Sequence, residues 1–516
     1  MTHAEDQLHR SIWLDHGNRL TQPLGADIEC DVCVVGAGIA GLLTAYRLAE
    51  AGRRVVVIDS QAICGGETGR TTAHVSDAFD DRYVNVERMH GRDGSRLAAE
   101  SHRAAIENLQ QLACSLHVER AFRRVEGYLV VNERHRDRRD ELLGLEEAAA
   151  RRAGVRVHRE AKLPAPWPDL GPALRFESQG QLHPTELFLK VAEALVARGG
   201  KIYTSTKAKT IRGGHPASVE TEAGPVVRCR DIVVATNTPV NDIVTMHTKQ
   251  AGYQTYVIAL RVPKGSLPPL LLWDGLWEDD EMYRYIRLTE FSAEHELLIV
   301  GGEDHKTGQG PEGSAPFERL ERWTRQHFPM AGAVERRWSG EVMEPADGMG
   351  YIGRNPTGAE NVYIVTGDSG NGMTHGAVAS MLIPDLIQGR DNPWAKLYDP
   401  SRKIGLHALR DYASENLNTL AQYGDWLKRG DVASVEEIPA GHGAIVVRGV
   451  KHLAVYKDEQ GRCTCLNATC THLGGVVRWN AAERTWDCPC HASRFDRHGR
   501  VLHGPANSDL SPEKPT

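Results

Sequence analysis

Short apolar runs separated by glycines are the first pattern along the chain. Val32–Val35 is a continuous β-branched and cysteine run, which is typical of a buried strand. Leu42–Ala51 repeats apolar residues at helical spacing, and Gly52 follows as a helix stop. Val55–Ile58 is a second buried run. This order predicts a strand–helix–strand unit with two parallel strands.

The turn between the first strand and the helix carries three glycines at a fixed spacing. Gly36, Gly38 and Gly41 follow G-x-G-x-x-G, and Asp59 ends the second strand 18 residues after the last glycine. The glycines allow a tight turn, a close approach of the backbone to a pyrophosphate, and close helix–strand packing. Because the helix N-terminus favours phosphate and the acid suits ribose hydroxyls, the unit predicts a dinucleotide site. No second fingerprint of this kind occurs downstream, which argues against a separate NAD(P)H domain.

The C-terminal part of the chain has a different pattern. A helix is predicted from about Leu406 to Leu427, and short β-rich runs then alternate with glycine turns from Gly443 to Gly475, as in small all-β domains. We therefore expect four parts: an N-terminal arm (1–26), a large two-part unit (27–400), a linker helix (401–430) and a small all-β domain (431–516).

Composition and charge restrict the class of protein. The 516 residues are 41% hydrophobic and 25% charged, with a net charge of −7, as in a soluble globular protein. The densest basic stretch, Arg134–Gly154, mixes both signs and predicts a solvated helix rather than a nucleic-acid surface. No apolar run approaches the roughly 20 residues of a membrane span, and the first residues lack the layout of a signal peptide. We therefore expect a cytoplasmic protein with no transmembrane segment and no nucleic-acid partner.

Five of the ten cysteines fall within the last 54 residues, which predicts metal or redox chemistry rather than disulfides in a cytosolic chain. Cys470 and His472 lie in one predicted loop, and Cys488 and His491 lie in another, with 15 residues between them. A structural zinc site usually pairs Cys with Cys and His with His. One Cys and one His from each loop is the ligand order of a Rieske 2Fe–2S cluster. The order favours this cluster, with zinc or unligated side chains as the alternatives.

Beyond the glycine fingerprint, the chain resembles the D-amino-acid-oxidase-like flavoprotein superfamily. Four segments carry the resemblance: Gly65–Ser76 (GGETGRTTAHVS), Gly180–Thr206, Asp231–Val240 (DIVVATNTPV) and Glu344–Val378. The resemblance implies FAD as the dinucleotide, an α/β Rossmann-like FAD-binding domain and an antiparallel-sheet substrate domain.

The same resemblance implies which residues surround FAD. They belong to the glycine turn, the acid after the second strand, the second flavin loop, the end of a central strand and the closing turn: Gly36, Ala37, Gly38, Ile39, Ala40, Gly41, Asp59, Ser60, Arg70, Thr71, Thr72, Ala73, Ala235, Thr236, Gly367, Asp368, Gly370, Gly372, Met373 and Thr374.

The two C-terminal loops, "CTHLGG" and "CPCHASRF", resemble the Rieske family. The resemblance implies a metal site made of Cys470 and Cys488 on one iron and His472 and His491 on the other.

The resemblance also gives expectations for three further positions of the second loop, Cys490, Ser493 and Phe495. Rieske proteins of respiratory complexes join the cysteine matching Cys490 to a cysteine in the first loop, where this chain has Gly474-Gly475, so Cys490 is expected to be free. Ser493 matches a serine that donates to a bridging sulfide. Phe495 stands where high-potential members have tyrosine, which predicts a potential in the lower part of the Rieske range of roughly −150 to +300 mV.

Candidate substrate residues follow from the same comparison. Amino-acid oxidases of the superfamily hold the substrate carboxylate with an arginine, and the aligned position here is Val342. Arg287 is the substitute candidate, because strand alternation places it on one face with Tyr283 and Tyr285; a surface or structural arginine is the alternative.

Two histidines flank the flavin loops. His74 and His375 are candidates for a proton acceptor or a covalent flavin anchor, with loop histidines that bind backbone groups as the alternative.

Together the two cofactors predict an oxidoreductase. Flavin accepts two electrons and a 2Fe–2S cluster carries one, so their fusion suits stepwise transfer. The leading hypothesis is oxidation of a small molecule at a C–N bond, with an external acceptor such as a ferredoxin, a quinone or a reductase. The alternatives are a component feeding electrons to a partner oxygenase, and a redox sensor. An oxygenase iron site within the chain is not expected, because no D-x-x-H-x-x-x-x-H-like run occurs.

Overall fold

The structure, a computed structural model, describes residues 8–15, 22–240, 246–275, 283–310, 313–358 and 360–514. The predicted N-terminal arm is thus described in part. Its 3-10 helix, Ile12–Asp15, packs on the large unit, because Trp13 is buried and its indole N–H donates to the carbonyl of Thr71 at 2.6 Å. The predicted boundaries at residues 26, 400 and 430 stay predictions.

A mostly parallel sheet lies at the centre of the first unit. Its strands follow the order Tyr351–Arg354, Val362–Thr366, Asp231–Val234, Val32–Val35, Val55–Ile58 and Lys201–Tyr203, and the first of these runs antiparallel to its neighbour. The helices of this unit are Ile39–Glu50, Arg82–Ser115, Arg139–Arg152, Pro184–Ala197, Gly372–Ile387 and Ala395–Tyr398, and Arg139–Arg152 packs on Arg82–Ser115. A smaller sheet lies beside it, with strands Ile28–Glu29, Val226–Cys229, Ala217–Thr221 and Ala208–Arg212.

The predicted strand–helix–strand unit is confirmed. Both strands have the predicted bounds, and the helix begins at Ile39 rather than Leu42 because Gly38 already takes the N-cap position. Gly41 therefore lies in the first helical turn, against the preceding strand.

A large, mainly antiparallel sheet forms the second unit. Its strands follow the order Val334–Pro345, Gln250–Pro263, His295–Lys306, Arg284–Glu290, Leu270–Asp274, Phe122–Val130, Ala173–Leu182 and His74–Val75, with Val157–Glu160 paired to the seventh. The helix Ala315–His327 packs on its outer face. These strands come from separate parts of the sequence, so this unit is interleaved with the first.

The C-terminal unit is all-β. One sheet holds Gly443–Arg448, Lys451–Lys457 and Cys463–Asn467, and the other holds Arg478–Asn480, Thr485–Asp487, Arg494–Asp496 and Val501–His503. The linker is the helix Leu409–Gln422, preceded by the 3-10 turn Leu406–Ala408 and followed by Tyr423–Leu427. The predicted fold class is confirmed: an α/β Rossmann-like domain, an antiparallel-sheet domain and a small all-β domain.

Candidate functional site

The glycine turn is too tight to accept side chains. Gly36 has φ +114°, and a Cβ atom there would lie 2.3 Å from the carbonyl oxygen of Ala235. A Cβ atom on Gly41 would lie 1.9 Å from the carbonyl oxygen of Gly36. Asp59 accepts hydrogen bonds from the backbone N–H groups of Ala37 (2.6 Å) and Gln61 (2.7 Å), and burial raises its pKa to about 6. The turn and the acid thus form a rigid cradle of the shape that a pyrophosphate and ribose require.

The closing turn approaches the same cradle from the neighbouring strand. Gly367 and Gly370 both have φ +70°, and a Cβ atom on Gly370 would lie 1.9 Å from Oδ2 of Asp80. The hydroxyl of Thr374 accepts a hydrogen bond from the N–H group of Ser76, which ties the closing turn to the second flavin loop.

One cavity of about 1920 Å³ connects these loops. Ordinary ligand pockets measure about 300–1,000 Å³, so this cavity has room for a dinucleotide together with a substrate. Most of the predicted flavin residues line it: Gly36, Gly38, Ile39, Ala40, Asp59, Ser60, Arg70, Thr71, Thr72, Ala235, Thr236, Asp368, Gly370, Gly372 and Met373. The others lie behind this lining: Ala37, Gly41, Ala73, Gly367 and Thr374. The residues therefore fit FAD, and the individual contacts stay predictions.

The part of the cavity under the large sheet has an aromatic and acidic wall, which we name the chamber. The residues of the chamber each place an aromatic ring or a carboxylate at the cavity surface: Tyr253, Trp273, Tyr283, Tyr285, Asp80 and Asp304. The hydroxyl of Tyr283 donates to Oδ1 of Asp80 at 2.6 Å, and burial raises the pKa of Asp304 to about 7. Sequence reasoning missed both acids, because they lie 224 positions apart and no local motif connects them.

Arg287 does not line this cavity, which favours the structural alternative over the candidate substrate role. Its side chain is 2% exposed, and one guanidinium nitrogen donates to the carbonyls of Thr72 (3.1 Å), Ala73 (2.9 Å) and Leu182 (3.0 Å). Tyr283 and Tyr285 do face the cavity, as alternation predicted. Arg287 lies further along the strand, where the second flavin loop covers the sheet, and it fixes that loop.

Both predicted histidines lie at the cavity surface. Nδ1 of His74 lies 3.0 Å from the hydroxyl of Thr72, and Nδ1 of His375 lies 2.8 Å from the carbonyl of Asp368. Burial lowers the pKa of His74 to about 3 and that of His375 to about 4. Both imidazoles are therefore neutral at pH 7, and their catalytic roles stay predictions.

The four predicted metal ligands come together at the tips of two loops. The thiols of Cys470 and Cys488 are in contact, and both residues are buried at 2% and 1% exposure. The ring centroids of His472 and His491 lie 4.9 Å apart. The loops have matching backbones, since the N–H of Gly474 donates to the carbonyl of Cys470 and the N–H of Ala492 to that of Cys488.

This donor set fits a Rieske cluster. Two sulfur donors lie together on one side and two imidazoles on the other, as two irons with two protein ligands each require. Among the residues that the structure describes, no group of three or more His, Cys, Asp or Glu side chains is arranged around a single ion. A two-iron cluster needs no such group.

Cys490 is a free, buried cysteine beside this set. A Cβ atom on Gly475 would lie 2.5 Å from the sulfur of Cys490 and 3.4 Å from its Cβ. Gly475 therefore occupies the place from which a cysteine would reach Cys490. The free thiol agrees with the sequence prediction.

Phe495 is fully buried in the core cluster that contains Cys470 and Cys488. We expect Phe495→Tyr to raise the midpoint potential by about 60 mV, if its hydroxyl gives a sulfur ligand one charge-assisted hydrogen bond of about 1.4 kcal/mol. Protein-film voltammetry measures the potential. Phe495→Leu, which adds no donor, is the control, and an equal rise in both variants would contradict the assignment.

The cluster-bearing domain packs tightly on the flavin-binding unit. The ring of His247 lies 4.8 Å from that of His472, between centroids. A Cβ atom on Gly252 would lie 2.2 Å from the Cβ of Ala492. The amide of Asn480 donates to Oε1 of Gln254 at 3.0 Å. The two imidazoles predicted as ligands thus face the flavin-binding unit.

A buried ion pair joins the same two units at the cavity wall. Nδ1 of His503 lies 3.0 Å from Oε2 of Glu341, and Nε2 lies 3.1 Å from the amide nitrogen of Asn237. Burial raises the pKa of Glu341, and the imidazolium opposes that rise. Burial lowers the pKa of His503, but Glu341 outweighs it and raises this pKa to about 9.

This pair predicts a loss of stability in alkali. The folded-state pKa of His503 lies above its ordinary value of 6.5, so the stabilisation is complete below about pH 6.5 and is lost as the pH rises through about 9. We expect the free energy of unfolding to fall by at most about 3 kcal/mol as the pH rises through this range. Denaturant titrations at several pH values measure this fall in the free energy of unfolding. In His503→Gln the fall should be absent or much smaller. An unchanged fall in this variant would assign it to another group.

The fold and both sites define a class, a flavoprotein joined to an iron–sulfur domain. The chain belongs to the DAO family of FAD dependent oxidoreductases, whose model matches residues 31–386, and it carries a Rieske [2Fe-2S] domain, matched over residues 428–512. The predicted oxidoreductase class and the two cofactors, FAD and the 2Fe–2S cluster, are confirmed. No helix within the described ranges is both long and apolar enough to cross a bilayer.

Relatives cover both the whole chain and its flavin-binding part. Over 494 residues the chain is 31% identical to the putative Rieske 2Fe-2S iron-sulfur protein YhfW of Bacillus subtilis, with 94% of each chain covered. Over 390 residues it is 28% identical to the gamma-glutamylputrescine oxidoreductase of Escherichia coli, covering 71% of this chain and 85% of that one. The solved glycine oxidase from Geobacillus kaustophilus has a TM-score of 0.60 at 17% identity, over 73% of this chain and 100% of that one, which shows a shared fold.

Proposed function

We propose that the protein oxidises a cationic amine at a C–N bond and delivers the electrons through the Rieske cluster to an external one-electron acceptor in the cytoplasm. The observation that carries the proposal is the continuity of the cavity. It is lined by the flavin loops, by the chamber, and by Val501–Gly504 of the cluster-bearing domain. FAD supplies two-electron acceptance from the substrate, and the cluster supplies one-electron exchange.

The chamber supports an amine as substrate. Aromatic rings attract cations by their electron-rich faces, and Asp80 and Asp304 add negative charge beside Tyr283 and Tyr285. Val342 takes the place where related amino-acid oxidases carry the carboxylate-binding arginine, so a carboxylate has no partner at that position. The similarity to a relative named for a putrescine derivative agrees with this chemistry.

Oxidation of a C–N single bond removes two electrons and two protons and leaves an imine, which water hydrolyses. The chain's own contribution is to hold the amine in the chamber and to exclude bulk water from it. The neutral imidazoles of His74 and His375 at the cavity surface each offer a ring nitrogen for hydrogen bonding.

An anaerobic titration of the holoenzyme tests the proposal. We expect a mono- or diamine to bleach the flavin absorption first and the cluster absorption afterwards, while free amino acids act weakly. Reduction by NAD(P)H alone would instead identify a reductase component for a partner oxygenase. If neither an amine nor NAD(P)H reduces the flavin, the redox-sensor hypothesis replaces this one.

Asp304 of the chamber gives a further expected result. Above pH 7, where this carboxylate is ionised, Asp304→Asn removes one negative charge at nearly constant shape, so the dissociation constant of the best amine should rise about tenfold, or about 1.4 kcal/mol. Since the pKa of Asp304 is about 7, affinity in the unchanged protein should also fall as the pH decreases through that value. Equilibrium binding to the oxidised enzyme measures both. An unaltered dissociation constant in Asp304→Asn would show that the charge of Asp304 does not contribute to amine binding.

A further inference from the structure

The linker donates hydrogen bonds to the first cluster loop. The hydroxyl of Tyr423 lies 2.9 Å from the carbonyl oxygen of Leu473, and the indole nitrogen of Trp426 lies 3.0 Å from that of Gly474. Both carbonyls directly follow His472 in the chain. The linker therefore restrains the backbone that carries one imidazole ligand.

The same segment also reaches the second cluster loop. The hydroxyl of Thr419 lies 3.3 Å from the carbonyl oxygen of Cys490. The amide of Gln309 donates to the carbonyl of Pro489 at 3.0 Å and to Oδ1 of Asn418 at 2.8 Å. The backbone between Cys488 and His491 is thus held from the linker and from the large sheet together.

A partly buried arginine anchors the end of the linker. Arg478 donates to Oδ2 of Asp425 through two nitrogens, at 2.8 and 2.5 Å, to Oε1 of Gln422 at 2.8 Å, and to the carbonyl of Gly308 at 3.1 Å. Asp425 is 6% exposed, so the carboxylate of this pair is shielded from water, while the arginine side chain is partly exposed. Arg478 therefore joins the cluster-bearing domain, the linker and the flavin-binding unit at one point.

We propose that Thr419, Tyr423 and Trp426 form a clamp that holds the two cluster loops closed and so retains the cluster. Iron leaves only when the loops separate, and separation breaks the bonds to Leu473, Gly474 and Cys490. These two loops have no covalent tie, because Gly475 faces the free Cys490. The clamp supplies the restraint that a disulfide between the loops would give. Its residues are positioning residues, since they act through the loop backbone.

The test compares rates of cluster loss in the full chain. Tyr423→Phe with Trp426→Phe removes both donors and keeps an aromatic ring at each position. In excess chelator, iron release and loss of cluster absorption should be about fivefold faster than in the unchanged protein, taking the lower end of the range for two exposed hydrogen bonds. Flavin content and the melting temperature of the flavin-binding unit should stay unchanged. Equal release rates in both proteins would overturn the clamp.

A matched control comes from the same helix. Tyr412 lies about three turns before Tyr423 and beside Tyr351, away from the cluster loops. Tyr412→Phe should leave the release rate unchanged. An equal acceleration in this variant would assign the effect to helix stability and would overturn the proposal.

A covalent rescue separates loop closure from folding. The 3.4 Å between Cβ atoms at positions 475 and 490 approaches the 3.5–4.5 Å usual for disulfides. Gly475→Cys, added to the double variant and oxidised with oxidised glutathione, should restore slow release, and dithiothreitol should remove the rescue. Mass spectrometry of alkylated protein verifies the bond. A double variant purified without cluster supports the clamp if the disulfide restores the cluster; fast loss despite a verified disulfide contradicts it.

Discussion

Cys488→Ser should abolish the absorption and electron paramagnetic resonance of the Rieske cluster while FAD content stays at the level of the unchanged protein. The serine removes one of two sulfur ligands on one iron, and two protein ligands per iron leave no spare. The flavin cradle is built from separate strands, so it should fold and load normally. Iron and sulfide analysis, with the flavin absorption as internal standard, measures the result.

Cys490→Ser is the matched control in the same loop. Cys490 is also buried but carries no ligand role in the assignment, so its variant should keep the cluster. Unchanged iron content in Cys488→Ser would overturn the ligand assignment, and loss of the cluster in both variants would point to damage of the loop.

Gly36→Ala should weaken FAD binding strongly. The position combines φ +114° with a Cβ position 2.3 Å from the carbonyl oxygen of Ala235, so the methyl group must displace either the phosphate turn or the central strand. A strain of about 3 kcal/mol weakens binding roughly 100-fold. The flavin-to-protein absorption ratio of the purified variant measures the loss.

Gly52→Ala separates backbone strain from the steric clash. Gly52 has φ +78°, but no atom lies within 4 Å of a Cβ atom there. This variant should lose about 1 kcal/mol of stability and keep its FAD. If both variants bound FAD normally, the glycine turn would not be the pyrophosphate site.

The local parts of the fold and of both sites could be predicted from the sequence. The unit from Val32 to Asp59 is one continuous stretch, and its strands and glycines carry the pattern of their own structure. The residues expected to bind the cluster could be proposed in the same way, because each loop brings one Cys and one His within four residues. Their roles as ligands stay predictions. In both cases the chemistry is encoded at short range.

The contacts that could not be predicted from the sequence are those between residues on distant strands. Asp304 reaches the chamber through the large sheet, and Glu341 meets His503 across 162 positions and two domains. Arg287 shows the same limit: strand alternation gives the face of the sheet, but not that Thr72 and Ala73 cover that part of the face. Such facts belong to tertiary packing, which single-sequence patterns do not carry.

Gly252 bears on how the two domains can pack in other chains that contain both of them. Its missing side chain lets the backbone of one domain touch Ala492 of the other, and any larger residue would push the two apart by the width of a methyl group or more. The same arrangement in other chains with both domains therefore requires small residues at this pair of positions. Chains with bulky residues at both positions cannot bring the two backbones this close.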